Sequence, residues 1–261
     1  MKPSEPDQIS VGVIGAAGRM GLVIAPRLQE DKDFSVDALY DIVEGDVPTV
    51  GRITTSLEDF LAAPTTHVLD FSTGPAVDEH GERVLLAGKH YLVGATGYSE
   101  ETVSRLDNAA RRAGRECLVV PNFSLGANLM VEFASRAAEF FHTVEIVERH
   151  HLGKQDAPSG TAIATAQSIH EVKQMSPGPD KERIKGVRGG KVCGISIHSQ
   201  RLDGVLAEQE VTFGGYQEIL RIEHRSISRE CFLSGVKLAL KAVGKHTGLR
   251  LGLKHVMEGP Q

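Results

Sequence analysis

The sequence predicts an α/β protein in two parts, a parallel sheet flanked by helices followed by a smaller α+β unit. Three features carry that expectation. Short apolar runs alternate with amphipathic segments through the first half of the chain. A glycine-rich turn, GAAGRMG at 15–21, sits between the first apolar run and the first amphipathic one. Past residue 124 the alternation gives way to stretches of period two.

The elements follow in order. Near-continuous apolar runs, as expected of strands buried on both faces, are Ile9–Ile14, Phe34–Tyr40, His67–Phe71, His90–Val93 and Cys117–Val120. Between them, Gly18–Gln29 places Met20, Val23, Ile24 and Leu28 on one helical face, with Pro26 inside it expected to kink or shorten it. Ala76–Ala87 and Glu100–Ala113 read as helices closed by Gly88 and Gly114. In the second half a helix at Ala127–Phe141 leads to a strand at Val144–Glu148, then a helix at about Gly160–Val172. Segment 173–190, rich in Pro, Gly and charge, reads as loop. Val192–Gln200, Val205–Phe213 and Glu218–His224 suggest a mostly antiparallel sheet, and a last helix is expected at about Gly235–Val243.

Composition narrows the function classes. The chain has 261 residues, 41% hydrophobic and 24% charged, ordinary for a water-soluble globular protein. A formal net charge of -5 argues against a general nucleic-acid binder. No apolar run approaches the ~18 residues a membrane span needs, and MKPSEPDQ reads as a polar tail rather than a secretory signal. Three cysteines without CxxC spacing read as reduced, buried core thiols in a cytoplasmic protein.

The first chemical signal is the turn itself. Gly15, Gly18 and Gly21 give GxxGxxG between strand and helix, a dinucleotide fingerprint variant whose glycines admit a pyrophosphate to the helix N-terminus. Asp41, about twenty residues on at the end of the second strand, suits the adenosine ribose hydroxyls. Its charge opposes a 2′-phosphate and favours NADH over NADPH, while Arg19 partly offsets that, so dual use stays open. DFSTGPA (70–76), VGATG (93–97) and VVPNFSLG (119–126) each follow a strand, and together they form a rim at the strands' carboxyl ends.

The second signal is ERHHLGKQDAPSGTA, 148–162. A strand ends and a loop presents His150, His151 and Lys154, then Ser159-Gly160-Thr161 opens a helix whose first N–H groups suit a carboxylate or phosphate. An anion held beside a histidine favours its protonated form and so a proton donor near neutrality. Adjacent histidines also occur in zinc sites, but no third ligand stands at matching spacing, so no metal is expected.

With these motifs in place the chain resembles the dihydrodipicolinate reductase family over nearly its whole length. The resemblance rests on GAAGRMG, DFS, GATG, VPNFSLG, ExHHxxKxDAPSGTA, RGGxVxGxxxH (188–198) and the SRxxFxxG that ends at Gly235. It implies a Rossmann-like domain at 1–123 plus 235–261, completed by the C-terminal helix. It also implies a substrate domain at 124–234 on an open mixed sheet that assembles a homotetramer. His150 matches the family's proton-transfer histidine and Lys154 its second catalytic residue. His151, Ser159, Gly160 and Thr161 match the substrate-binding positions. Gly15, Ala16, Ala17, Gly18, Arg19, Met20 and Asp41 match cofactor-contacting positions, as do Gly94, Ala95, Thr96, Val120, Pro121, Asn122 and Phe123. The implied reaction is reduction of a small cyclic dicarboxylate by NADH or NADPH in lysine and diaminopimelate biosynthesis.

This chain departs from the family's common pattern at Ala95, which loses one hydroxyl, at Val120, which changes volume only, and at Thr73 and the acidic residue after the second strand; the last two weaken any strong NADPH preference. Two other readings stand beside it. A different dehydrogenase of the same nucleotide fold would share GxxGxxG without needing HHxxKxDAPSGTA, and a non-catalytic NAD(H) sensor would be expected to lose His150 and Lys154. Glycines and small residues at 124–126 and near 234–235 read as hinges between the two domains.

Overall fold

A computed structural model describes residues 8–176, 178 and 181–257, so the expected polar tail lies outside it except for Gln8. The chain runs β1 (Ile9–Ile14), α1 (Gly21–Gln29), β2 (Phe34–Tyr40), β3 (Gly45–Val47), β4 (Gly51–Ile53), α2 (Leu57–Ala62), β5 (His67–Asp70) and α3 (Gly74–Leu86). Next come β6 (His90–Val93), α4 (Glu100–Ala113), β7 (Glu116–Val119), α5 (Leu125–Ala138), β8 (Thr143–His150) and α6 (Gly160–Val172). It ends with β9 (Gly190–Val192), β10 (Ile195–Arg201), β11 (Ala207–Gly215), β12 (Glu218–Ser226), a 3₁₀ turn at Arg229–Phe232, α7 (Leu233–Ala242), β13 (Gly248–Leu251) and α8 (Lys254–Met257). Two compact units result: one holds the residues up to Ser124 and from Phe232 on, the other Leu125–Cys231.

The first unit is built on a six-stranded sheet in the order β13-β7-β6-β5-β1-β2, every pairing parallel. Parallel strands need crossover helices, and these cover the faces, which is why β5 and β7 are buried at every position. Ile14, Val68, Leu85, Tyr91, Leu106 and Val119 share one core cluster, and each large apolar side chain so buried contributes about 1.5–3 kcal/mol. Helix signals behaved as their chemistry requires. Ser99 caps α4 by accepting from Thr102 N, and Gly114 ends it at φ 62°. Pro26 is accommodated inside the nine-residue α1. The strand order reverses between β1 and β5, so the crevice for a ligand lies at their carboxyl ends.

The second unit is a five-stranded mixed sheet, order β12-β11-β8-β10-β9, packed on α5 and α6 through Met130, Ile146, Ala166, Ile197 and Phe213. Among the described residues three of its four pairings are antiparallel, and β8–β10 is parallel because α6 lies in the crossover.

Several expectations need correction. Val192–Gln200 is two strands, since Cys193 (φ 50°) and Gly194 (φ 81°) turn the chain back between β9 and β10. Cys193 is therefore exposed and Cys231 half-buried; only Cys117 is a core thiol. The carboxyl-terminal segment supplies β13, a sixth strand beside β7, as well as helix α7. Gly126 and Gly235 lie inside α5 and α7 rather than in loops. Each is there for close approach: a Cβ would stand 2.6 Å from His224 Cδ2 at one and 1.9 Å from Phe123 O at the other.

Candidate functional site

The glycine turn after β1 is shaped by two steric demands. Gly15 has φ 75°, and a Cβ there would lie 2.8 Å from the Phe71 carbonyl carbon. A Cβ on Gly21 would lie 2.4 Å from Gly15 O and 2.6 Å from Ala16 Cα, so α1 packs against the turn only because side chains are absent. Gly15 and Ala16 N–H donate to Tyr40 O (3.0 and 3.2 Å), and Gly18 N–H to Gly15 O (3.1 Å). Asp41 is brought to the turn: Oδ2 accepts from Ala17 N (2.9 Å) and Oδ1 from Ile42 N (2.7 Å). Arg19 is exposed and Met20 half-buried at the start of α1.

The remaining rim segments sit at neighbouring strand ends. Gly94 N donates to Asp70 O and Val120 N to Val93 O, both at 2.8 Å. Gly94 is held between aromatic rings, where a Cβ would meet Phe71 at 2.8 Å and Phe123 at 3.0 Å. Ala95, Val120 and Phe123 are buried, so they present backbone rather than side chain, while Thr96 and Pro121 are exposed. Asn122 Oδ1 accepts from Ser124 N (2.9 Å). Under this rim lies a polar cluster that sequence reasoning missed. The wholly buried Asp70 carboxylate accepts from Tyr91 Oη (2.5 Å), Ser72 N (2.7 Å) and Ser72 Oγ (2.6 Å) and contacts His80 Nε2 (2.7 Å). Burial alone would raise its pKa; His80, Ser72 and Tyr91 together hold it below the ordinary value. The sheet thereby fixes the Phe71–Ser72 turn that Gly15 abuts.

In the second unit the motif 148–162 falls at the end of β8 and the start of α6. Strand alternation puts Glu148 and His150 on one face, and His150 Nδ1 meets Glu148 Oε2 at 2.5 Å. β10 runs parallel alongside, with Ser199 opposite Glu148 and Arg201 opposite His150. Arg201 Nη1 lies 3.1 and 3.0 Å from the two Glu148 oxygens. Glu148 is 0% exposed. Burial by itself would push its carboxyl up, but hydrogen bonds from His150, Ser199 and Arg201 win and hold the pKa at about 2. Beyond His150 the loop turns, Lys154 N donating to His151 O (3.1 Å). Lys154 Nζ rests on both Asp156 oxygens at 2.8 Å. Asp156, expected only as turn scaffolding, is thus the lysine's counter-ion, and Lys154 in turn holds its carboxyl below the ordinary range.

Helix α6 starts where expected. Ser159 Oγ accepts from Ala162 N (3.2 Å), and Ile163 N makes the first i→i−4 bond to Ser159 O (3.1 Å). Ser159 is buried, so its hydroxyl first builds the helix start and has one proton left to offer a ligand. Gly160 is exposed, and a Cβ on it would meet nothing within 4 Å, leaving the helix N-terminus uncovered at that point. An open cavity of about 410 Å³ is lined nearby by Ala157, Pro158, Gly186, Gly189, Ile197 and Ser199.

His150 ends β8, Lys154 lies in the loop that follows, and that loop runs into α6 at Gly160. Glu148 was legible in principle, two residues before His150 on a strand. Arg201 carried no signal, since only the β8–β10 pairing places it there. Among the described residues no group of three His, Cys, Asp or Glu side chains is disposed to hold a metal ion, and no helix is long and apolar enough to cross a membrane.

The chain matches the family described as dihydrodipicolinate reductase, N-terminus, over residues 9–123 and the corresponding C-terminus over 126–257. A 4-hydroxy-tetrahydrodipicolinate reductase of Halalkalibacterium halodurans is 39% identical over 263 residues, covering 96% of this chain and 100% of the relative. That of Enterococcus faecalis is 39% identical over 259 residues, covering 95% and 100%. The solved structure of dipicolinate-bound dihydrodipicolinate reductase from Paenisporosarcina sp. TG-14 superposes with a TM-score of 0.86 at 33% identity, over 95% of this chain and 99% of that one. A glycine turn that only Gly15 and Gly21 permit, and a His-Lys loop running into a capped helix, thus stand in a chain that belongs to the dihydrodipicolinate reductase family.

Proposed function

We propose that the protein reduces 4-hydroxy-tetrahydrodipicolinate to tetrahydrodipicolinate with NADH or NADPH, in lysine and diaminopimelate biosynthesis, with His150 as proton donor. The observation that carries the residue assignment is the Glu148–His150 contact on β8, beside the loop that presents Lys154 and the N-terminus of α6.

The cradle after β1 fits a dinucleotide. Amides of residues 15–18 are taken by Tyr40 O, Asp41 and Gly15 O, so Arg19 and Met20, at the N-terminal end of α1, are assigned the phosphates. Gly94–Thr96 and Val120–Phe123 offer backbone along the same sheet edge. A bound reduced nicotinamide supplies the hydride. Asp41 serves the ribose, and its negative charge gives NADH a modest advantage that Arg19 limits.

The substrate's two carboxylates are assigned to Lys154, His151 and the Ser159–Thr161 helix start. Lys154 exchanges its Asp156 partner for a substrate carboxylate. After loss of the 4-hydroxyl as water, hydride reaches ring carbon C4 and charge flows toward C3. With Nδ1 held by Glu148, Nε2 is the His150 nitrogen that delivers the proton to C3. Lys154 stabilises the charge while it develops.

The sheet of the second unit carries Tyr216, Ile219 and Leu220 exposed at the β11–β12 end, and Ile227 exposed after it. This supports assembly of the open sheet into a homotetramer, checked by light scattering, and a cytoplasmic setting suits a pathway that uses nicotinamide cofactors.

Loss of NADH and NADPH absorbance, followed with enzymatically generated substrate, tests the activity. His150→Gln is expected to lower turnover about 10²–10⁴-fold with cofactor still bound. Turnover within a few-fold of the unmodified protein would remove His150 from that role.

A further inference from the structure

We propose that Arg201 is a positioning residue that sets His150 and Lys154 relative to each other. The inference deepens the reading above and rests on it, since it takes those two side chains as the reacting pair.

The guanidinium has four partners, one of them the adjacent Gln200 O, to which Nη1 donates at 2.8 Å. Nη1 engages both oxygens of buried Glu148 (3.1 and 3.0 Å), the carboxylate that holds His150 Nδ1. Nη2 donates to Asp156 O (2.6 Å), and Nε to Lys154 O (3.3 Å). The side chain is 19% exposed. One residue therefore holds the histidine through its carboxylate and the lysine through its backbone. The chain enters this loop from β8, where His150 O is fixed by Leu202 N (2.9 Å). Beyond it the loop is held internally by the turn from Lys154 N to His151 O, the Lys154–Asp156 ion pair and a long contact from Gln155 Nε2 to Gly153 O (3.5 Å). None of these bonds reaches the sheet, whereas Arg201 belongs to β10, paired in register with β8. A planar fork can span a carboxylate and two carbonyls, whereas a lysine ammonium at the same place supplies charge without that span.

The alternative is that Arg201 only neutralises Glu148, and Arg201→Lys separates the two, because it keeps a cation near the carboxylate and loses the carbonyl contacts. Positioning errors of about 1 Å cost on the order of 10² in rate. Arg201→Lys is therefore expected to lower kcat about 10- to 10²-fold and raise the KM for the substrate, while NADH affinity and melting temperature stay near those of the unmodified protein. In a Lys154→Met background the same change should cost several-fold less, since the loop then has no ammonium to place.

Arg201→Lys within twofold of the unmodified protein in both kcat and KM would overturn the proposal, as would costs that multiply independently with Lys154→Met. Arg201→Met, measured in parallel, shows by its melting temperature how much of the residue's role is stability alone. His150→Gln is the control for the underlying reading. If that variant keeps full turnover, the catalytic assignment falls by itself. If it loses turnover while Arg201→Lys does not, only the positioning role falls.

Discussion

His67 opens β5 only 9% exposed, its Nε2 3.4 Å from Val243 O, its Nδ1 2.9 Å from Thr66 Oγ1, and its ring 5.1 Å from that of His90. Burial, and then the facing His90, push its pKa down to about 4; the Val243 carbonyl and Glu116 oppose the shift and lose. In the unfolded chain the imidazole titrates near 6.5. The unfolded state thus takes up a proton that the folded state refuses. Stability is full above about pH 6.5 and falls as the pH drops, until the loss is complete near pH 4. The gap between 6.5 and about 4, at 1.36 kcal/mol per pH unit, comes to roughly 3 kcal/mol, of which about 2 kcal/mol is already lost near pH 5. At about 2–4 °C per kcal/mol, the melting temperature should fall by roughly 4–8 °C from this group. His67→Gln keeps an N–H for the Val243 carbonyl and cannot titrate. Urea and thermal unfolding followed by circular dichroism at about pH 7.5 and about pH 5 should show the unmodified protein losing about 2 kcal/mol more than the variant. Equal losses in the two proteins would refute the burial argument, since His90 and His224, whose pKa burial also lowers, are present in both.

Other outcomes follow from the same coordinates. Gly21→Ala forces a Cβ to 2.4 Å from Gly15 O, so α1 must back away; overpacking of about 1–3 kcal/mol and NADH binding at least about tenfold weaker are expected, and unchanged NADH titrations would contradict this. Asp41→Ala removes the charge that opposes a 2′-phosphate and should raise the NADPH-to-NADH ratio of kcat/KM by about tenfold; an unchanged ratio would remove Asp41 from cofactor choice. Lys154→Met deletes the ammonium now resting on Asp156 and should lower kcat/KM about 10- to 10²-fold through a lost charged contact, whereas steady-state values near those of the unmodified protein would leave Lys154 without its assigned role. Glu116→Gln weakens the buried pairing with Arg250 and the bonds from Gly244 N (2.8 Å) and His246 N (3.2 Å); faster amide exchange across 244–251 is expected, and unaltered protection there would count against Glu116 as the anchor of β13.

Elements with strong local signals appeared where their residues placed them. The strands β5, β6 and β7 are apolar because helices cover both their faces, and Ser99 and Gly114 mark the ends of α4 by chemistry that acts within a few residues. The short pieces were not legible. Gly45–Val47, Gly51–Ile53 and Gly248–Leu251 are three or four residues each, too short for a period to show. Cys193 shows the opposite error: composition reads a cysteine as core, but a turn between β9 and β10 requires a left-handed residue there and puts it in water.

The sequence alone determined the parallel nucleotide-type sheet, the glycine turn and the His150–Lys154–Ser159 loop, because each depends on neighbours within one turn, strand or helix start. Only the tertiary structure decided what holds that loop. Against its burial, the Glu148 carboxyl is held low by His150 and then by Ser199 and Arg201, which lie opposite it and His150 in register on a strand some fifty residues away in the chain. Asp41 reaches the glycine turn for the same kind of reason: β1 and β2 are adjacent, so the end of one strand delivers a carboxylate to the Ala17 amide beyond the end of the other. Contacts of that range follow from strand pairing, and no local pattern of residues encodes them.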